Sequence, residues 1–353
     1  MVGKSLGFGL AVLLCSRAAA DDSVRRPPNA SPSPAPIPLQ TLRTAPGPRS
    51  TDGSFGWADE LCDRRGNVYL LLIPPLRNGI SGPERHEVLR VSADGKKQTT
   101  FSPLTLPLFA NAAELTIVDV ALDTQGTLYT LVWARWGSDR ATGKKGHFVV
   151  SYDQDARYKS HLMVDYAEII PNQIEVFGSG EFLLRGTHPV TRNERLMVLS
   201  ASGRTLEEVR RWAGKFFDHD PSAETLPRLP HMARGDNGRI YLIQEDPGEE
   251  GEFVYAVSPS GDAERLFKLP VLPEDLSLRV WSTSGERFAA SYYEHGDPPR
   301  WWAAVYEHGG GEPEPRSTLY GPLGGPPLCY ESAGAKDRFI VFEGEALVTM
   351  SSP

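Results

Sequence analysis

The stretch "ALDTQGTLYTLV", residues 121–132, places an aspartate and a glycine in a short turn and follows them with alternating apolar residues around Tyr129. Alternation with a period of two is typical of a strand with one buried face. A glycine between two such runs is typical of a tight turn, because glycine tolerates backbone angles that other residues avoid. The stretch therefore predicts two antiparallel strands joined near Gly126.

The same phrase returns along the chain at intervals of roughly 50 to 60 residues, which indicates repeated structural units. The copies are centred on Gly66, Gly126, Gly180, Gly238 and Gly285, with a degenerate copy near Lys336. A second strand–turn–strand phrase follows each of the first five copies, as in "EVLRVSADGK" at 87–96 and "FVVSYDQDAR" at 148–157. Each complete unit thus predicts four antiparallel strands, which make one blade, and six units predict an all-β, six-bladed β-propeller.

The sixth unit ends with the chain at "ALVTMSSP" and lacks an outer strand. Residues 37–45, "IPLQTLRTA", are predicted to return and supply it, so that an N-terminal strand closes the ring. One segment fits the repeat less well, because "RTLEEVRRWAGKFF" at 204–217 has helical spacing of its apolar residues. The repeat predicts a strand over 204–212 there, and the spacing allows a short helix after it.

The N-terminal sequence predicts the location of the protein, and the net charge bears on its partners. Lys4 and the apolar run after it predict a signal peptide over residues 1–20, cut near Ala20, and hence a secreted or periplasmic protein without a transmembrane span. A lipid anchor on Cys15 is the alternative. Residues 21–36 are rich in proline and predict a disordered tether before the propeller at 37–353. The formal charge of −8, without a basic cluster, argues against nucleic acid as a partner.

Cys62 and Cys329 are the two cysteines left after removal of the signal peptide. Ring closure makes their strands neighbours, which favours a disulfide in an exported protein. Their offsets from the nearest turns differ by about 10 Å at ~3.3 Å per residue. A disulfide needs Cα atoms within about 7 Å, so the sequence leaves the bond open.

Functional side chains are expected where the innermost strands converge, at equivalent positions of the repeat. Seven residues before each hinge these positions hold Asp59, Asp119, Gln173, His231, Leu278 and Cys329. Glu60, Asn172 and Glu175 stand beside this ring. The simpler interpretation is that the two aspartates cap strand ends or pair with an arginine.

The repeated "D..G..Y" phrasing resembles the six-bladed propellers of NHL-repeat and gluconolactonase-like (TolB-like) type, over most of residues 55–353. The gluconolactonase-like branch holds a divalent metal at the channel mouth through Glu, Asn and Asp side chains, and it hydrolyses lactones or related esters. "DVALD" and "PNQIEVFGSG" resemble the stretches that carry two of these ligands, which points to Asp119 and Asn172. Glu60 stands nearest to the glutamate, and Asp59 and His231 complete the candidate set. Oxygen ligands suit calcium or magnesium, whereas a histidine suits manganese or zinc.

The variable loops offer a second candidate surface, since loops on a rigid scaffold often carry recognition. Four tryptophans in or beside them are candidate anchors for a partner: Trp133, Trp136, Trp301 and Trp302. The alternative is that they pack over the blade faces. The sequence thus predicts an exported binding or scaffolding module of the cell envelope or exterior, with an unspecified ligand or protein partner. A metal-dependent lactonase or esterase is the alternative.

Overall fold

The computed structural model describes residues 36–48, 56–73, 86–137, 142–165, 167–209, 232–235, 237–246, 249–269, 276–284, 287–294, 300–307, 316–333 and 336–353. The predicted signal peptide with Cys15, the predicted tether up to residue 35, the helix allowed after residue 212 and His231 lie outside this range. The statements below concern the described residues.

These residues form strands that assemble into six four-stranded sheets, and every strand pair is antiparallel. In chain order the strands are β1 (Gln40–Pro46), β2 (Gly56–Cys62), β3 (Val68–Ile73), β4 (Val88–Val91), β5 (Gln98–Phe101), β6 (Ala112–Leu122), β7 (Leu128–Trp136), β8 (Lys144–Tyr152), β9 (Tyr158–Val164), β10 (Ile170–Val176), β11 (Phe182–Thr187), β12 (Glu194–Leu199), β13 (Thr205–Glu208), β14 (Ala233–Arg234), β15 (Ile240–Asp246), β16 (Glu249–Val257), β17 (Ala263–Lys268), β18 (Leu276–Ser284), β19 (Arg287–Glu294), β20 (Arg300–Glu307), β21 (Arg316–Leu323), β22 (Pro327–Ala333), β23 (Lys336–Glu343) and β24 (Ala346–Ser351).

Each sheet is one blade of a six-bladed β-propeller, as the repeat predicts. The first five blades take four consecutive strands each, from β2–β5 to β18–β21, and the sixth combines β22, β23 and β24 with β1. β1 lies on the outside of β24, with partners running from Gln40↔Ser351 to Pro46↔Ala346. The predicted closure of the ring by an N-terminal strand is therefore confirmed.

Helical structure in the described part of the chain is confined to two 3-10 turns, at Pro103–Thr105 and Pro107–Phe109. The repeat correctly predicts a strand rather than a helix at Thr205–Glu208, because β13 pairs with β12 there. No helix that the structure describes is long and apolar enough to cross a membrane.

The core consists of apolar clusters between adjacent blades. Tyr241 and Phe288 show the arrangement, since their rings meet edge to face across blades four and five at 4.9 Å between centroids. Blades one and six share a cluster that includes Leu70 and Leu328. Burial of aromatic and β-branched side chains between sheets stabilises the ring by about 25 cal/mol per Å² of apolar surface, so every blade depends on its neighbours.

The turns explain the aspartates that stand three residues before the hinge glycines of the first two units, Asp63 and Asp123. Asp123 accepts hydrogen bonds at Oδ1 from the backbone N–H groups of Gln125 and Thr127, at 2.8 and 2.7 Å. Gly126 has φ +81°, a conformation that costs other residues about 1–2 kcal/mol. Asp123 is therefore a turn residue, as the sequence predicts.

A buried aspartate joins the fifth and sixth blades. Asp337 on β23 is 1% exposed and accepts hydrogen bonds from the hydroxyl groups of Tyr320 on β21 and Tyr330 on β22. The Arg287 guanidinium on β19 lies 3.4 Å from the same carboxylate, and the Ser352 hydroxyl accepts the Asp337 N–H. This network connects β19, β21 and β22, together with Ser352 near the C-terminus, to one carboxyl group between blades five and six.

Cys62 and Cys329 form a disulfide between the innermost strands of blades one and six, with Cα atoms 5.9 Å apart. The offset counted along the two strands therefore overestimates their separation. β2 and β22 belong to different sheets and share no hydrogen-bonded register, so distance from a turn does not fix relative height. The disulfide joins blade one to blade six, whereas β1 closes the ring within blade six.

Candidate functional site

The innermost strands carry β-bulges at the positions that the sequence singles out. The register shifts directly before Asp59 on β2, Asp119 on β6, Gln173 on β10 and Cys329 on β22. A bulge inserts an extra residue and redirects the side chains after it. Because it recurs in four blades, these four residues lie at equivalent places, and all four line one cavity where the inner strands converge.

The cavity encloses about 90 Å³. Its walls come from blades one to four and blade six, and the side chains of β18 in blade five lie outside the described set. Polar groups on it are Asp59, Glu60, Asp119, Gln173, Glu175 and Arg234. Apolar groups include Met232, Leu328 and Tyr330, together with the Cys62–Cys329 disulfide. Below, this space is called the channel pocket.

Asp59 and Asp119 are hydrogen-bonded to each other in the channel pocket. Burial raises the pKa of Asp119 well above its usual range, and the charge of Asp59 and the hydrogen bond between the two carboxyl groups raise it further. The Ile174 backbone N–H donates to Asp119 Oδ2 at 2.6 Å, and the Glu60 N–H donates to Asp59 Oδ1 at 2.8 Å. The backbone of an inner strand therefore orients each of the two side chains, and Asp119 keeps its proton to a higher pH than an exposed aspartate.

Glu175 is the most isolated carboxyl group of the pocket. Its side chain is 5% exposed, and burial raises its pKa to about 7, against the lowering effects of the Arg234 charge and the Val176 N–H. That N–H donates to Glu175 Oε1 at 2.9 Å. The Arg234 guanidinium donates to the backbone oxygen of Leu122, and no ion pair within 4 Å joins it to Glu175 among the described side chains. Glu175 can therefore exchange a proton near neutral pH.

The structure gathers only part of the predicted metal-ligand set. Asp59, Glu60 and Asp119 line the channel pocket, as the repeat positions predict. Asn172 is the extra residue of the bulge on β10, and it does not belong to the described lining of the pocket. Its buried Oδ1 has no hydrogen-bond partner among the described residues. His231 is outside the described range, and its contribution stays a prediction.

The described side chains fit a divalent metal poorly as they stand. They include no group of three or more His, Cys, Asp or Glu residues placed to hold one ion. One oxygen of Asp119 accepts the Ile174 N–H, and the same carboxyl group is hydrogen-bonded to Asp59. Calcium needs six to eight oxygen ligands. We therefore derive no step through a metal, and binding of calcium, magnesium, manganese or zinc stays a prediction.

The four tryptophans predicted as a binding surface are half-buried and pack on the blades. Trp136 stacks on Phe109 with centroids 6.3 Å apart and belongs to the cluster between blades one and two. Trp301 and Trp302 pack against clusters on either side of blade five. Trp133 lies on β7 opposite His147. These contacts give Trp136, Trp301 and Trp302 a role in packing, and a role of any of the four in binding a partner stays a prediction.

Sequence reasoning gave too little weight to Glu175 and missed Arg234. Glu175 stands five residues before its hinge glycine, where the first two units have Leu61 and Ala121. A carboxyl group at a position that the repeat otherwise fills with apolar residues is the signal that could have identified it. Arg234 carried no comparable signal, since arginines beside turns are common on protein surfaces.

No family model and no curated protein match the chain. Solved structures are similar to it at low identity. A protein of unknown function from Dyadobacter fermentans is 11% identical, with 89% of this chain and 98% of that chain covered and a TM-score of 0.49. A gluconolactonase from Xanthomonas campestris is 14% identical (70% and 94% covered, TM-score 0.34). A putative 6-phosphogluconolactonase from Bacteroides fragilis is 11% identical (83% and 90% covered, TM-score 0.38). The resemblance to this type of propeller is confirmed for the fold, and it carries no argument about activity.

Proposed function

We propose that the protein is an exported β-propeller of the cell envelope or exterior that binds a small polar ligand in the channel pocket. The observation that carries this proposal is the buried carboxyl group of Glu175, which lines a cavity and has no ion-pair partner among the described residues. Burying an ionisable group without a partner costs several kcal/mol, and a purely structural channel would avoid that cost with an apolar side chain. Concave sites with a few convergent polar groups are the usual form of small-molecule sites.

Export is supported by the N-terminal sequence and by the disulfide. Lys4, the apolar run that follows it and the small residues before Ala20 have the order of a signal peptide. The Cys62–Cys329 bond fits an oxidising compartment, because reducing systems in the cytosol keep most thiols reduced. Fractionation of cells that express the full chain, followed by mass determination of the mature N-terminus, tests this part of the proposal. A mature protein that still begins at Met1 in the cytosol contradicts it.

Binding in the pocket is tested by thermal melting of the mature protein with three panels of small molecules: organic cations, organic anions and neutral polyols. A ligand of the native state raises the melting temperature in proportion to the logarithm of its concentration over its dissociation constant. We expect one panel to shift the wild type and to shift a Glu175→Gln variant less. Glu168→Gln is the matched control, because Glu168 is exposed on a turn. If no molecule shifts the wild type, or if both variants respond alike, the pocket is not the binding site.

A second candidate function is hydrolysis of a lactone or ester. Asp59 and Asp119 favour it, because the two carboxyl groups lie side by side and the pKa of Asp119 is raised by burial, so Asp119 can donate a hydrogen bond to a carbonyl group. The test measures proton release from glucono-δ-lactone and absorbance from p-nitrophenyl acetate, with wild type and Asp119→Asn. Activity that survives the substitution, or rates equal to the uncatalysed ones, argues against this function.

A further inference from the structure

The polar lining of the channel pocket contains more acidic than basic side chains. Its described side chains include four carboxyl groups, from Asp59, Glu60, Asp119 and Glu175, against the single guanidinium of Arg234. That guanidinium already donates to the Leu122 backbone oxygen. The described lining of the pocket therefore contains more carboxyl groups than basic groups.

Glu175 identifies the acceptor that the protein leaves unused. Its Oε1 accepts the Val176 N–H at 2.9 Å, and Oε2 has no hydrogen bond to another described residue. The side chain is 5% exposed and lines the pocket, so Oε2 can accept a donor from a ligand there. A ligand with an N–H donor and a positive charge complements this carboxyl group, whereas an anion does not.

The opposite wall of the pocket suits a carbon chain. Met232, Leu328, Tyr330 and the disulfide contribute apolar surface. A cavity of about 90 Å³ has room for roughly six to nine water-sized groups at about 10–15 Å³ each. A compact organic cation meets both walls, with its charged end at the carboxyl groups and its carbon atoms on the apolar side.

A bare metal ion meets fewer of these conditions. Asp59 and Asp119 already bond to each other, and the Ile174 N–H occupies one Asp119 oxygen. An ammonium group needs only about three acceptors, because it carries three donors. A hard divalent ion needs six or more oxygens and makes no use of the apolar wall.

We propose that the channel pocket binds a small organic ammonium ion, with Glu175 as the residue that accepts its N–H donors. The inference rests on the proposed function, since it assigns a ligand class to the same pocket. Glu175 fixes the cation, and Asp59 with Asp119 forms the adjacent polar wall.

The test uses four probes on the mature protein at constant ionic strength: propylammonium, propionate, 1-propanol and magnesium ion. Each is titrated by calorimetry into wild type, Glu175→Gln and Glu168→Gln. We expect propylammonium to bind the wild type and the Glu168→Gln control equally, and to bind Glu175→Gln at least tenfold more weakly. Propionate and 1-propanol, which have the same carbon chain without the positive charge, are expected not to bind.

A second readout locates the binding without relying on a substitution at the site. Met232 lines the pocket, so its methyl resonance in methionine-labelled wild-type protein should move during the propylammonium titration. Met232→Leu assigns that resonance. A stationary Met232 signal, or equal affinity in Glu175→Gln, overturns the inference.

The outcomes separate this inference from the proposed function. If propionate or 1-propanol moves the Met232 signal and propylammonium does not, the pocket binds ligands but the ammonium class is wrong. If magnesium alone moves it, the site is a metal site and the inference also fails. If none of these probes and none of the three ligand panels gives a response, both proposals fail.

Discussion

Replacement of Glu175 by glutamine should change how the stability of the protein depends on pH. Burial raises the folded-state pKa of this carboxyl group from 4.5 to about 7. Between these values the folded chain holds a proton that the unfolded chain has released. Stability from the neutral carboxyl group is therefore fully present below pH 4.5 and is lost as the pH rises through 7.

The size of the effect follows from the same two pKa values. At 1.36 kcal/mol per factor of ten, ionisation of Glu175 costs about 3 kcal/mol more in the folded chain than in the unfolded one. Roughly 2–3 kcal/mol of this is lost between pH 5 and pH 8. Glutamine keeps the acceptor for the Val176 N–H and never ionises. The variant should therefore gain roughly 2–3 kcal/mol relative to wild type when the pH is raised from 5 to 8.

Urea unfolding at pH 5, 6, 7 and 8 measures this difference directly. Asp59, Asp119 and Arg234 face the same pocket in both proteins, so the difference between wild type and variant isolates Glu175 as far as the groups act independently. Glu168→Gln serves as the exposed control and should follow the wild type at every pH. If the difference between Glu175→Gln and wild type stays constant over this range, the carboxyl group is not buried as described.

Three further perturbations test other parts of the structure. Asp337→Ala removes the acceptor of the network between blades five and six, so it should lower the free energy of unfolding by about 3–5 kcal/mol. The control Asp155→Ala, on an exposed turn, should change the free energy of unfolding by less than about 0.5 kcal/mol. Equal effects of the two substitutions in urea unfolding would contradict the network. Replacing Cys62 and Cys329 by serine should cost about 2–5 kcal/mol and should make the melting temperature insensitive to dithiothreitol, which ought to lower it in the wild type only. Addition of calcium, magnesium, manganese or zinc after treatment with a chelator should leave the melting temperature unchanged unless the pocket rearranges; a shift that saturates with one metal would show that the predicted metal site exists.

The architecture was largely predictable because each repeat can be recognised from a short stretch of sequence. A turn that requires glycine and a strand with alternating apolar residues can both be recognised within a dozen residues. The stretch around Gly126 and Tyr129 shows both features. Closure by residues 37–45 followed from counting strands, since a blade with three strands leaves an open edge. Relations between blades were harder to predict. The offset between Cys62 and Cys329 was measured along strands, whereas their real separation depends on how two sheets lie against each other.

The same distinction holds at the candidate site. The ring of repeat positions correctly brought Asp59 and Asp119 to one cavity, because equivalent positions of repeated units lie at equivalent depths. Asn172 does not belong to the described lining although Gln173 next to it does, and a count of residues does not reveal this difference. Asp337 was missed because its partners come from three other strands, and no short stretch of sequence displays such a network.

The pairing of β1 with β24 has a consequence for the order in which the molecule can form. The first strand of the ring finds its partner in the last one, so nearly the whole chain must be present before the sixth blade is complete. Contacts between the two ends of a chain form slowly, because a long loop must close before they contribute. A chain that crosses a membrane with its N-terminus first would thus emerge with an unpaired strand and could not seal the ring until its C-terminus had followed. The outer edge of blade six, where β1 pairs with β24, therefore stays unpaired until the end of the chain is present, and an unpaired strand edge can pair with a wrong strand.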